Sequence, residues 1–320
     1  MSRPIVAAVA FLLAVGTVFR GGTLAQQRPT FRGATTRVSV DVSVKRGKVP
    51  VGRLGADDFT IADNGVPQKV EAVAIDSIPI DVTLAVDTSG SVIGNLEAFK
   101  EEIRTFARML RPGDRIRIVS FSTKVREAVP MQDASRPFSL ETLTGNGMTS
   151  LNDGLIYALL WPEEPDRRHL VIALTDGEDT LSTLNSDTIP EIAGRVDAVF
   201  HAVLVPPDPQ VAAASGRTTW MAGSLNAIRE AVQRSGGDEH KLGRAASDFK
   251  AIFDDFRASY VLWFEPVGVS ASGWHDLRVS VAGQDDLTIR ARKGYFAERG
   301  PLATTETAAR ARRARRARVR

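Results

Sequence analysis

The sequence predicts an α/β protein: a doubly wound, largely parallel sheet combined with a β-sandwich formed by the N- and C-terminal segments. Three observations carry this. Over residues 78–259 apolar strand-like runs alternate with amphipathic helical stretches, the pattern of strands joined by crossover helices. On both sides of that stretch apolar and polar residues alternate with a period of two, as in strands with one wet face. The N-terminal flank, residues 33–78, is too small to bury much surface alone, and the C-terminal strands have no other sheet to join.

Taken in order, the chain opens with Arg3, an apolar segment over residues 5–15 that weakens at Gly16 and Thr17, and Thr23-Leu24-Ala25 before Gln26. This is the layout of a cleavable secretory signal over residues 1–25, and the apolar run is short for a membrane span. It implies a secreted or periplasmic protein with no transmembrane span after cleavage. Val18 and Phe19 extend the apolar segment, so an uncleaved anchor is the alternative. With 43% hydrophobic and 25% charged residues in a chain of 320, there is material for a substantial core. The absence of cysteine excludes disulfides, zinc–thiolate centres, a catalytic thiol and a lipid-modified cysteine.

Val38-Ser39-Val40-Asp41-Val42-Ser43-Val44 alternates strictly and predicts a strand. Residues 59–62 and 66–75 flank Asp63-Asn64-Gly65, a hairpin signal. In the central region, residues 79–259, strands are expected at 80–86, 115–121, 169–175 and 197–205. Helices are expected at 95–110, 150–160, 187–195 and 224–235, and from Ser247, a candidate N-cap. Leu96, Phe99, Ile103, Phe106 and Leu110 form one apolar stripe, and Phe249, Ile252, Phe253 and Phe256 another; both read as core. Residues 260–297 return to strand patterning: Tyr260-Val261-Leu262-Trp263-Phe264, then Leu277, Val279 and Val281, then Leu287, Ile289 and Ala291.

The chemistry gathers at strand ends. Asp87-Thr88-Ser89-Gly90-Ser91 follows the apolar run at 78–86, at the carboxyl edge where open α/β sheets bind ligands. Gly145-Asn146-Gly147-Met148-Thr149 offers a further hydroxyl in a Gly-rich loop at a helix start. Residues 170–175 repeat the buried-strand pattern and end in Asp176-Gly177. Asp87, Ser89, Ser91, Thr149 and Asp176 are all hard oxygen donors, suited to Mg²⁺, Mn²⁺ or Ca²⁺. Each piece has a plainer alternative: helix caps for Asp87, Ser89, Ser91 and Thr149, and a turn for Asp176-Gly177.

The order D-x-S-x-S, loop Thr, strand-end Asp resembles the metal-ion-dependent adhesion site (MIDAS) of von Willebrand factor type A domains, at all five positions. The resemblance implies hydroxyl ligands from Ser89, Ser91 and Thr149. It implies Asp87 and Asp176 binding the ion directly or through water, and one position left open for a partner's Asp or Glu carboxylate. Outside the site, Asp57-Asp58-Phe59, Asp63-Asn64-Gly65 and the block ending Arg292-Lys293-Gly294-Tyr295-Phe296 resemble a secreted bacterial branch of the same family.

Residues 206–223 are long for a connection and are either part of the ligand-facing rim or a surface insertion. The tail, residues 298–320, holds seven arginines between Arg310 and Arg320; removing them takes the formal charge from +3 to −4. Such a block is either simply solvated or an attachment to an anionic surface; no interleaved aromatics suggest specific nucleic-acid binding. Catalysis is not expected. Haloacid-dehalogenase-type phosphotransferases need a second carboxylate where Ser89 stands, and no P-loop, G-x-S-x-G or H-E-x-x-H motif is present. His169, His201, His240 and His275 are scattered; His169 and His201, at strand starts on the edge opposite the candidate ligands, read as structural or exposed. The expected function is a metal-dependent protein-binding or adhesion module, the alternative an envelope assembly component in which the ion only stabilises the fold.

Overall fold

The computed structural model describes residues 37–297 apart from 163, 165, 207–219, 242–244 and 285, and without the side chains of residues 220–222 and 245–248. The expected signal, the arginine-rich tail and most of the loop at 206–223 lie outside the described residues; the last helix of the central region starts at Ala245, two residues ahead of the Ser247 expected to cap it. No described helix is long and apolar enough to cross a membrane.

Two β segments far apart in sequence form one sandwich. Strand β1 (Val38–Arg46) turns Val38, Val40, Val42 and Val44 inward, as its alternation predicts. It pairs antiparallel with β12 (Tyr260–Phe264), Val40 opposite Leu262, and on its other side with β14 (Thr288–Ala291) and the short β2 (Val49–Pro50). The facing sheet runs β15 (Gly294–Ala297), β13 (Gly273–Val281), β3 (Phe59–Asp63), β4 (Val66–Gln68). Between the sheets the Phe59 and Tyr260 rings meet edge to face at 5.2 Å. The hairpin from β3 to β4 turns at Asn64 and Gly65, both at positive φ.

Residues 66–75 are not one strand, as the pattern suggested. β4 stays with β3, whereas β5 (Ala72–Ile75) crosses to pair with β12 in the other sheet. Pro67 has no N–H to donate, which suits β4 to a sheet edge, and Val70 is buried at the crossover.

The central sheet runs β11 (Glu239–Lys241), β10 (Val199–Leu204), β9 (Arg168–Thr175), β6 (Ile80–Asp87), β7 (Arg115–Phe121), β8 (Val125–Asp133). All neighbours are parallel except β8, which is antiparallel to β7. β6 is buried at every residue, which is why its sequence is a run rather than an alternation. Helices α1 (Leu96–Ala107) and α5 (Ala245–Ala258) share one apolar core with one face of the sheet. On the other face pack α2 (Leu151–Leu159), α3 (Thr188–Arg195) and α4 (Trp220–Ser235). Both predicted helical stripes are in these cores, with Leu110 partly buried just beyond α1.

β8 and β11 were not anticipated. β8 is a largely exposed edge strand carrying Pro130, and β11 has three residues, so neither shows an apolar period. Of the histidines, His201 and His275 are buried, which for His201 is the structural rather than the exposed reading. His275 Nδ1 lies 2.7 Å from Asp63 Oδ1, while the Tyr295 hydroxyl donates to Asp63 Oδ2 at 2.7 Å. Sheet and sandwich are clamped by Arg168, which bonds Asp41 of β1 (Nε–Oδ1 2.7 Å), the Phe256 carbonyl and Ser259 Oγ.

Candidate metal centre

β6 and β9 are adjacent and parallel, Val86 opposite Leu174, so their carboxyl ends lie side by side. The chain leaves β6 through a 3₁₀ turn (Gly90–Asn95) toward α1 on one face and leaves β9 toward α3 on the other. Loops diverging from neighbouring strand ends open a crevice between them.

Asp87 closes β6 and is wholly buried. Its Oδ1 accepts the Ser89 N–H at 2.9 Å and its Oδ2 accepts the Thr175 hydroxyl at 2.8 Å. Ser89 Oγ and Ser91 Oγ are 3.1 Å apart, and both side chains are buried. Asp176, at 3% exposure, follows β9; its Oδ1 accepts the Glu178 N–H at 3.1 Å, while its buried Oδ2 has no hydrogen-bond partner among the described residues. Thr149 is 2% exposed and held by its backbone: its N–H donates to Thr180 Oγ1 at 2.8 Å, and its carbonyl accepts from Thr180 and Leu181. The loop before it is stitched to the Asp87 loop by Asn146 N–H to the Thr88 carbonyl (2.9 Å) and Gly90 N–H to the Gly147 carbonyl (3.0 Å).

The helix-cap alternative finds no support in these bonds. Ser89 precedes the 3₁₀ turn and Ser150 precedes α2, but neither side chain makes a capping hydrogen bond. The first turn of α2 is capped instead by Asp179, whose Oδ1 accepts the N–H groups of Leu151 (2.9 Å) and Asn152 (3.3 Å). Asp153 returns the favour by accepting the N–H groups of Thr183 and Leu184. These positioning residues, with Thr175 and Thr180, escaped the sequence reading. The polar run Glu178-Asp179-Thr180 after a strand-end Asp is the signal that could have pointed to them.

Two glycines are demanded by the loops. Gly147 and Gly177 have φ of +83° and +80°, and a Cβ on either would collide, with Thr123 Oγ1 and Leu225 Cδ2 respectively.

Burial, joined by the nearby Asp176 charge and opposed by hydrogen bonds from Ser89 and Thr175 that favour ionisation, pushes the Asp87 carboxyl up to about 7. No lysine or arginine is among the leading groups that shift it. Two buried carboxylates, one with an orphaned oxygen, beside paired hydroxyls form a donor set that fits a hard divalent cation. Among the described residues no group of three or more His, Asp or Glu is placed to hold a metal, so this candidate depends on its hydroxyls.

A family model described as von Willebrand factor type A domain matches residues 82–178, from within β6 to just past Asp176. The chain contains a von Willebrand factor type A domain. Among solved structures, it is similar to a von Willebrand factor type A protein from Catenulispora acidiphila at 14% identity and TM-score 0.45, covering 83% of this chain and 74% of that one. It is also similar to the ArnB paralog VWA2 from Sulfolobus acidocaldarius, at 12% identity and TM-score 0.44, covering 84% and 78%. Proximal thread matrix protein 1 from the mussel byssus, with a zinc-occupied MIDAS motif, aligns at 15% identity and TM-score 0.43, over 60% of this chain and 48% of that one. No curated protein sequence matches the chain.

Proposed function

We propose that this chain is an exported, metal-ion-dependent protein-binding module with no catalytic role. Asp87, Ser89, Ser91, Thr149 and Asp176 would hold a divalent cation, Mg²⁺ or else Mn²⁺ or Ca²⁺. The carrying observation is the buried, unpartnered Asp176 Oδ2 beside an Asp87 whose ionisation burial and Asp176 both oppose. A fold keeps such an arrangement at a cost unless something positive relieves it. Bound there, a divalent cation supplies concentrated positive charge and an exchangeable coordination position. With three neutral ligands the protein cancels only part of that charge, which favours an added Asp or Glu carboxylate from a partner. Thr175 and the Ser89 N–H orient Asp87, and Thr180 and Asp179 hold the loops that carry Thr149.

Calorimetric titration of Mg²⁺ and Mn²⁺ into wild type and Asp87→Ala tests the site, and capture from envelope and culture fractions with Mg²⁺ or EDTA tests the use. Saturable binding that Asp87→Ala abolishes, together with EDTA-sensitive capture, is expected. Equal binding by both proteins would remove Asp87 from the site. Capture that survives EDTA while thermal stability falls would make the ion a structural element of an envelope component instead.

A further inference from the structure

The rim around this centre has two features that holding a cation does not require. The first is apolar. Of the nine large hydrophobic residues exposed among the described residues, four stand on the loops of the site: Ile93, Met148, Leu181 and Leu184, between 40% and 51% exposed. Their backbones are fixed. Met148 N–H donates to Thr123 Oγ1 (3.2 Å), Leu181 N–H to the Thr149 carbonyl (2.9 Å), and Leu184 N–H to Asp153 Oδ1 (2.9 Å). Ile93 packs so closely over Gly145 that a Cβ there would meet its Cγ1 at 2.7 Å. Apolar surface displayed on a rigid frame loses little entropy when it is covered.

The second feature is charge. Beside the Thr88 loop lies a polar cleft of about 270 Å³, lined by Thr88, Asn146 and Gly147 from the site loops and by Lys124 and Arg126 at the start of β8. Both cations are exposed, and neither has an ion-pair partner among the described residues. Glu127, the acid next in sequence, is already engaged by the buried Arg117 at 2.6 Å. Most described arginines are paired in this way, so two free cations beside one hydroxyl-lined cleft at the site rim are available to a partner.

Resting on the metal-dependent reading above, we infer that the partner is a protein segment with two acidic groups rather than one. One carboxylate faces the metal centre. The second enters the cleft and pairs with Lys124 and Arg126, and apolar side chains of the same segment cover Ile93, Met148 and Leu181. Complementary rim charge of this kind sets register and speeds association, while the apolar contact slows release.

A random peptide library selected on the wild-type chain in Mg²⁺ and eluted with EDTA tests this, each selected peptide then being measured on Lys124→Glu/Arg126→Glu and on Met148→Ser/Leu181→Ser. We expect enriched peptides with two acidic residues and an apolar neighbour. The charge reversal should weaken them by about tenfold or more, the scale of one good charged contact, and the apolar pair by several-fold. Calorimetric Mg²⁺ binding should be retained in both variants, and no weaker in the charge reversal, while melting temperature should not change, since all four residues are exposed. EDTA-eluted peptides with a single acid, bound equally by the charge-reversed variant, would overturn the second contact and leave the metal reading standing. Two-acid peptides that stay bound through the EDTA step, elute only with acid, and fail on the reversed variant would sustain the cleft and overturn the metal reading. Enrichment without acidic residues would overturn both.

Discussion

Strand β6 carries a buried aspartate at each end, and the two are treated in opposite ways. At the amino edge Asp81 is 3% exposed and fully paired: its Oδ1 accepts from Arg115 Nε at 2.8 Å and Arg167 Nε at 2.6 Å, and its Oδ2 pairs with Arg115 again. Close by, Asp114 caps the Ile80 N–H and pairs with Arg257, and Arg168 ties Asp41 of the sandwich to the sheet. At the carboxyl edge Asp87 is held by hydroxyl and N–H groups and feels the Asp176 charge, and among the described residues no arginine or lysine bonds either aspartate. One residue type thus makes a joint at one end of the sheet and a receptive site at the other. Burial is common to both; the difference is whether the fold itself provides the countercharge.

The sharpest way to break this comparison is to remove one aspartate from each end. Asp81→Ala removes the carboxylate that Arg115 and Arg167 share, leaving Arg115 its pair with Glu164 and Arg167 its bonds to the Ile80 and Gly113 carbonyls, and should cost about 3 kcal/mol of unfolding free energy in urea. Asp87→Asn in metal-free buffer should shift it by less than about 1 kcal/mol, because a poorly compensated charge is lost and the hydrogen bonds can be kept. Equal losses at both ends would mean that the carboxyl edge is as self-sufficient as the amino edge.

Next in size is the effect of the cation. A ligand that binds only the native state should stabilise wild type by about 2.7 kcal/mol at a hundred times its dissociation constant. Denaturation curves with graded Mg²⁺ should show this shift in wild type and none in Asp87→Asn or Asp176→Asn.

A third test uses acid at the amino edge. Burial holds His169 down to about 4, with Asp81 pulling it up only in part, and its Nε2 lies 3.0 Å from Thr83 Oγ1. Its pKa is therefore lower folded than unfolded, so below about 6.5 the unfolded chain binds the extra proton. The associated stability is present above that pH and is lost as pH falls toward 4. Relative to His169→Gln, wild type should lose on the order of 2 kcal/mol over that window, a figure reduced for the partly exposed ring. Parallel urea curves for the two proteins at neutral and acid pH would expose a flat difference, which would remove His169 from the account.

The smallest effect is expected where solvent already screens. Lys250 and Asp254 pair one turn apart on α5, both more than half exposed. Lys250→Ala should change stability by no more than about 0.5 kcal/mol, and a larger loss by calorimetric melting would mean that surface charge contributes more here than the buried pairs imply.

The chain itself determined what depends on local pattern. The buried run of β6, the helical stripes of α1 and α5 and the alternation of β1 follow from burial on one or both faces, and each is written in a few consecutive residues. The candidate ligands were legible for the same reason: Asp87 and Asp176 end apolar runs, and a polar residue there lies at a sheet edge whatever the rest of the fold does. Pairing and compensation were decided only in three dimensions. That β5 leaves its hairpin for β12 and that Asp179 rather than Ser150 caps α2 depend on partners distant in sequence. The same holds for the aspartates: nothing in the local sequence distinguishes Asp81, held by Arg115 and Arg167, from Asp176, whose Oδ2 is left without a partner. A carboxylate's energy is set by the charges and donors within a few ångströms of it, and those neighbours arrive from other strands and loops only when the tertiary structure forms.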